Sequence, residues 1–273
     1  MAEETEMGFL DHLEELRWHI MRAVFSIGIF AIIAFVNGSF IFKHIILAPG
    51  RVDFITYKML CQLSNAIGSD ILCIESLPFT IQNRAMTGQF SMHIMASAII
   101  GLVFAFPYAF WEIWRFVRPG LHRHEQKATR GATFFVTVLF MMGVSFGYFI
   151  VSPLAINFLT NYQIDASILN EIDLTSYVST LAMIVLACGV LFQLPIVVFF
   201  LAKAGLVTPS FMRTYRKHAL VMILVISAII TPPDPVTQMF VALPITILYE
   251  FSIRLCARVH KKMLKEKELI LGS

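Results

Sequence analysis

Carboxylates and strongly polar groups are sparse in this sequence, and those near its apolar segments are the groups most able to do chemistry. Glu15 shares one face of the stretch 8–22 with His12, His19 and Arg22, at spacings of three and four. Phe9, Leu13, Leu16 and Ile20 share the other face. The pattern predicts an amphipathic helix lying at a membrane interface, with Glu15 either one charge on a solvated face or a ligand for a cation. Glu125 stands among Arg118, Arg123, Lys127 and Arg130, a loop that reads either as a contact with anionic headgroups or as a second carboxylate site. His122 and His124 precede Glu125, but no fourth ligand stands nearby and no metal is expected. Glu112, Gln193 and Glu250 fall inside or at the ends of apolar segments, where such groups mark function or snorkel to the interface. For Gln193, a bond within its own bundle and a contact with a partner helix are both open. Asp234 and Gln238 accompany the turn Thr231-Pro232-Pro233-Asp234-Pro235, with Asp234 either functional or a helix cap. No glycine-rich phosphate loop ending in Gly-Lys-Ser/Thr is present, and no cofactor is expected.

The elements that position these residues follow from composition. Of 273 residues, 58% are hydrophobic and 14% charged, against about a quarter charged in globular chains. Six apolar segments, 23–42, 92–114, 132–153, 177–202, 219–231 and 236–253, lie at or near the length that crosses about 30 Å of hydrocarbon at 1.5 Å per residue. Open strands would leave backbone groups unsatisfied in lipid, so the expected fold is all-α: a polytopic membrane protein with six transmembrane helices. The fifth segment, 219–231, reaches only about 20 Å and the sixth is also short, which implies local thinning of the bilayer or water at the turn between them. The acidic start (Glu3, Glu4, Glu6) does not suit a signal peptide, so the first segment is expected to be a retained span.

Basic residues cluster before the first span and after the second, fourth and sixth; two of the alternate loops have none, which predicts both termini on the cytoplasmic side. Residues 1–256 read as a single membrane domain and 257–273 as a basic cytoplasmic tail. The long first outer loop, 43–91, punctuated by Pro49 and Pro78, is expected to fold into short helices that cap the outer face. Cys61 and Cys73 lie in that loop and are expected to be bridged if it faces an oxidising compartment. Cys188 and Cys256 read as small apolar packers.

Several strings carry a resemblance. His12-Leu13-Glu14-Glu15-Leu16-Arg17 is followed by Pro49, then by Phe106-Pro107-Tyr108 through Phe116 and by Arg118-Pro119-Gly120-Leu121-His122-Arg123-His124-Glu125. Phe146-Gly147-Tyr148-Phe149, Pro153-Leu154-Ala155, Thr231-Pro232-Pro233-Asp234 with Gln238, and Glu250 complete the series. In this order, over about 8–256, the sequence resembles the TatC family of twin-arginine protein export. The resemblance implies a receptor with no catalytic activity and no nucleic-acid partner. It implies an inner-membrane protein that binds twin-arginine signal peptides, recruits single-span TatA/TatB-type subunits, self-associates, and moves folded cargo on the proton gradient. It places Glu15, Leu16, Arg17, Phe116, Pro119 and Glu125 at the signal peptide, and Pro49, Gln193, Asp234, Gln238 and Glu250 in partner contacts or translocation. Relatives often carry glutamate where Gln193 stands, which removes an ionic contact there. A planar guanidinium makes paired hydrogen bonds to a carboxylate that lysine does not copy, so two carboxylates suit an arginine pair. A secondary transporter is the rival reading, but such folds show internal repeats and paired broken helices, and the sequence shows neither.

If Glu125 contacts a guanidinium directly, Glu125→Ala weakens signal-peptide binding far more than Lys127→Ala does, as measured by titration of purified protein with peptide; equal losses would indicate a general electrostatic effect.

Overall fold

The structure is a computed structural model that describes residues 9–68, 73–74, 77–117, 131–165, 167, 170–231 and 235–271. Helix α1 runs without a break over Phe9–Val36. The expected interfacial helix 8–22 and first span 23–42 are therefore one rod that ends earlier than predicted. Nothing between Arg22 and Val24 breaks a helix, and an elongating helix adds a hydrogen bond for each residue it fixes. The chain leaves α1 at Asn37, whose side-chain amide donates to the Ile33 carbonyl. A Cβ at Gly38 would fall 2.0 Å from His93 Nε2, so the end of the rod is pressed against the next span.

A short helix Gly38–Ile41, a wide turn Phe42–Ile46 and a tight turn Ala48–Gly50 then carry the chain into the cap. Helix α2, Ile55–Ile67, closes on Gly68 in the left-handed conformation (φ 75°). Strand β1, Thr80–Gln82, pairs in parallel with β2, Glu171–Asp173, with Thr80 opposite Glu171. The cap thus contains a small sheet as well as a helix. Three-residue strands are too short to leave a period-two signal, and pairing between two different loops is invisible to local pattern.

Helix α3 spans Gly88–Val117. Helix α4, Ala132–Phe146, passes through a wide turn, Gly147–Val151, into α5, Ser152–Asn161. The fourth span is α6, Leu174–Leu191, then α7, Leu194–Lys203, broken at Phe192-Gln193 just before Pro195. Asp173 caps α6: its carboxylate accepts from the Thr175 and Arg84 N–H groups, which hold its carboxyl below the usual range. The short α8, Pro209–Thr214, precedes α9, Arg216–Ile230, and α10, Pro235–Leu271.

Among the described residues, five helical stretches are long and apolar enough to cross a membrane: Glu14–Val36, Gly88–Val117, Thr133–Asn161, Leu174–Lys203 and Thr237–Met263. The remaining expected span corresponds to α9, whose 15 residues reach about 22 Å. The segment expected as a tail from residue 257 continues α10 to Leu271.

Lipid offers no hydrophobic force between spans, so close packing of small residues must hold them. Helices α1 and α3 meet so tightly that a Cβ at Gly101 would stand 2.6 Å from the Ala31 backbone nitrogen. A Cβ at Gly143 would meet the Cys188 carbonyl at 2.5 Å, joining α4 to α6 in the same way. Large side chains such as Phe25, 71% exposed, point outward, as a lipid-facing surface requires.

Three tyrosines satisfy the backbone where the helices break. Tyr57 donates to the Pro153 and Pro49 carbonyls (2.8 and 3.1 Å), Tyr148 to Ile45 (2.8 Å) and Tyr177 to Ile46 (3.0 Å). Cys61 and Cys73 are joined as a disulfide with Cα atoms 4.2 Å apart, while Cys188 and Cys256 are free and buried.

Tyr57→Phe leaves two buried carbonyls without their shared donor and lowers stability by about 1–3 kcal/mol, read as a fall in melting temperature in detergent. Burial pushes the Tyr57 phenol up, so its contribution is complete below the ordinary phenol pKa of about 10 and is lost as pH rises beyond it; the alkaline loss of stability is shallower in Tyr57→Phe. Intact-mass analysis after alkylation of unfolded, unreduced protein shows Cys188 and Cys256 labelled and Cys61 and Cys73 unlabelled.

Candidate functional site

Where α1 and α3 lie side by side, their polar residues meet at the end of the bundle that carries the start of α1. Glu112, on α3, is 1% exposed, and a carboxylate so buried must find partners for both oxygens. Its Oε1 accepts from the Tyr108 hydroxyl at 2.9 Å, one helical turn away. Its Oε2 lies 2.5 Å from His19 Nδ1 and 4.0 Å from Arg22, both on α1. His19 is itself 5% exposed, and the Phe116 ring lies 6.2 Å from the imidazole, centre to centre.

With Nδ1 committed to Glu112, the other ring nitrogen, Nε2, faces Glu15 Oε1 at 3.9 Å. The side chains form a line, Tyr108, Glu112, His19 and Glu15, buried in the middle at Glu112 and His19 and reaching the surface at Tyr108 and at the half-exposed Glu15. Arg17 points outward on the same turn of α1. On α3, Arg115 lies over the Trp111 ring, 5.5 Å from its centre. The arrangement has a carboxylate, Glu15, at its rim and the Phe116 ring on the His19 imidazole.

The structure therefore gathers Glu15 and Phe116 around His19, with Leu16 half-buried on α1; Glu125 and Pro119 lie outside the described residues. His19 had been assigned to a polar face shared with Glu15, and that face turns inward onto α3. Glu112, with snorkelling as its alternative, is instead a buried hub. Sequence reasoning missed His19 and Tyr108. The available signal was their spacing, four residues from Glu15 and from Glu112, at two span ends that the charge pattern puts on one side of the membrane.

The other expected residues are dispersed. Pro49 is buried in the cap under Tyr57. Gln193 sits at the α6–α7 break; its amide donates weakly to the Val136 and Gly189 carbonyls at 3.3 and 3.5 Å, while its buried Oε1 has no partner among the described residues. Gln238 donates to the Leu224 carbonyl at 3.1 Å and ties α10 to α9. Glu250 makes a two-pronged ion pair with Arg216, at 2.8 and 2.9 Å, between the same two helices. Asp234 lies outside the described residues.

Comparison with known proteins places this architecture. The family model described as Sec-independent protein translocase protein (TatC) matches residues 11–244. The TatC protein of Blattabacterium sp. subsp. Periplaneta americana is 38% identical over 262 residues, covering 95% of this chain and 98% of its own. TatCy of Bacillus subtilis is 30% identical over 96% of this chain and 93% of its own. Two crystal structures of the twin-arginine translocase receptor TatC superpose with TM-scores of 0.65 and 0.67, at 30% and 31% identity, covering 90% and 89% of this chain and 97% and 98% of theirs. With the matched residues taking in both Glu15 and Glu112, the chain belongs to the TatC family of Sec-independent protein translocase proteins.

Proposed function

We propose that this chain is the receptor subunit of a twin-arginine translocase, which binds twin-arginine signal peptides at the end of the bundle formed by the start of α1 and the close of α3. The observation that carries the reading is the line from Glu112 through His19 to Glu15. It holds one carboxylate half-exposed beside Phe116 while its support is buried. An exposed ion pair is worth only about 0–1 kcal/mol, so selectivity for arginine requires a carboxylate whose position is fixed before the peptide arrives. Glu112 supplies that fixity by orienting the His19 ring, and Glu125 is assigned the second guanidinium.

The asymmetry of basic residues supports placing this end, and both termini, on the cytoplasmic side of a bacterial inner membrane. Single-span TatA/TatB-type subunits are assigned to the lipid-facing bundle. Gln193 Oε1, without a hydrogen-bond partner among the described residues, supports a partner contact there, because an acceptor buried in an apolar region gains from any donor that a second helix brings. Folded cargo then crosses on the proton gradient with no nucleotide site on this subunit. Family membership does not favour the solute-transporter alternative.

The test is binding of purified protein to a signal peptide with an Arg-Arg pair against the same peptide with Lys-Lys. Arg-Arg binds more tightly. Glu15→Ala reduces Arg-Arg affinity by about tenfold or more and collapses the preference. Glu112→Gln, which keeps the shape of the hub, narrows the Arg-Arg over Lys-Lys ratio without abolishing binding. Equal affinity for both peptides in the unaltered protein, with and without a single-span partner, would overturn the proposal.

A further inference from the structure

At the opposite end of the bundle two cavities share a wall. One, of about 200 Å³, is an apolar slot lined by residues of α3, α4 and α6, among them Phe104, Ser145 and Ala182. The other, of about 560 Å³, opens beside the cap and is lined by Lys43, His44, Arg51 and Asp53 with Phe54 and Ile55. Ile45, Tyr148 and Phe149 line both. The hydrogen bond from Tyr148 to the Ile45 carbonyl fixes the neck between them.

The charges at the mouth are specific. Arg51 holds Asp53 through two bonds, at 3.0 and 3.2 Å, so that pair is neutral and rigid. His44 is exposed and donates from Nδ1 to the Phe40 carbonyl at 3.1 Å, and its Nε2 has no hydrogen-bond partner among the described residues. Lys43 is exposed and has no partner among the described residues. Among the described residues the mouth therefore carries one uncompensated positive charge, Lys43, with the His44 imidazole and the Asp53-paired Arg51 guanidinium, beside an apolar slot that shares Ile45, Tyr148 and Phe149 with it. A lipid-facing groove alone would take any lipid; a fixed cation at its head selects among headgroups.

We propose that these two adjoining cavities together form a binding site for one anionic phospholipid of the cap-side leaflet, its phosphodiester at Lys43 and His44 and one acyl chain between Phe149 and Ala182. A single phosphodiester matches the single net charge. The site is at the far end of the bundle from Glu15, and its occupancy is independent of signal-peptide binding.

The test is native mass spectrometry of the full chain released from micelles containing equal amounts of phosphatidylglycerol and phosphatidylcholine with identical acyl chains, with glycerophosphate as the headgroup alone. One phosphatidylglycerol is retained in preference to phosphatidylcholine. Lys43→Gln reduces that retention by about fivefold, and Ser145→Trp, which fills the slot from an exposed position, reduces retention of the lipid. Lys58→Gln, on the exposed face of α2, changes nothing. Equal retention of the two lipids, or retention unaffected by both Lys43→Gln and Ser145→Trp, would overturn the proposal. Binding of glycerophosphate as firmly as the lipid would overturn it too, since the slot would then contribute nothing.

Discussion

Hydrocarbon cannot hydrogen-bond a peptide group, and every feature of this fold that is not a straight helix answers to that constraint. The chain breaks its helices after Val36, at Gly147–Val151 and at Phe192-Gln193. At the first of these, three tyrosine hydroxyls reach the carbonyls of Ile45, Ile46 and Pro49. At the second, Ser152 Oγ donates to Gly147. At the third, the Gln193 amide serves the carbonyls of Val136 and Gly189. The polar residues beside each break are the condition for it.

The same reasoning makes the contact between α1 and α3 both costly and informative. Burying a carboxylate without full pairing costs several kcal/mol, and replacing Glu112 and His19 by apolar residues of similar volume would pack at least as well. A charged hub in that place fixes the register of one rod against the other. A slide of one turn, about 5.4 Å, would set Glu112 opposite Glu15 or Ala23 in place of His19. Glycine at 101 lets the rods approach closely; the Glu112–His19 pair decides where along their length they do so.

How much of this was legible in the sequence depended on the range of the signal. Apolar runs announced the spans, and the proline run at 232–235 announced the turn between α9 and α10, because both are local. The family strings assigned Glu15 and Phe116 to one peptide site; in the structure each has a contact with His19. The inward turn of the polar face of α1 was not legible, since periodicity tells which residues share a face and not what the face meets. The β1–β2 pairing was not legible either: it joins two loops through three residues each, and only the folded bundle brings them together.

That pairing has a consequence for the order in which the molecule is made. Thr80 leaves the ribosome well before Glu171, and two membrane crossings separate them in the chain. The loop between α1 and α3 must therefore wait, with one strand unpaired, until α3 and the α4–α5 span have both been threaded and the loop before α6 has emerged. Arg84 waits with it for Glu171, its ion-pair partner at 3.0 Å. Closure of the cap is thus a record that the intervening segments have been inserted in the right sense, and a chain that stalls or inverts midway displays an open strand edge to whatever proteases patrol that side of the membrane.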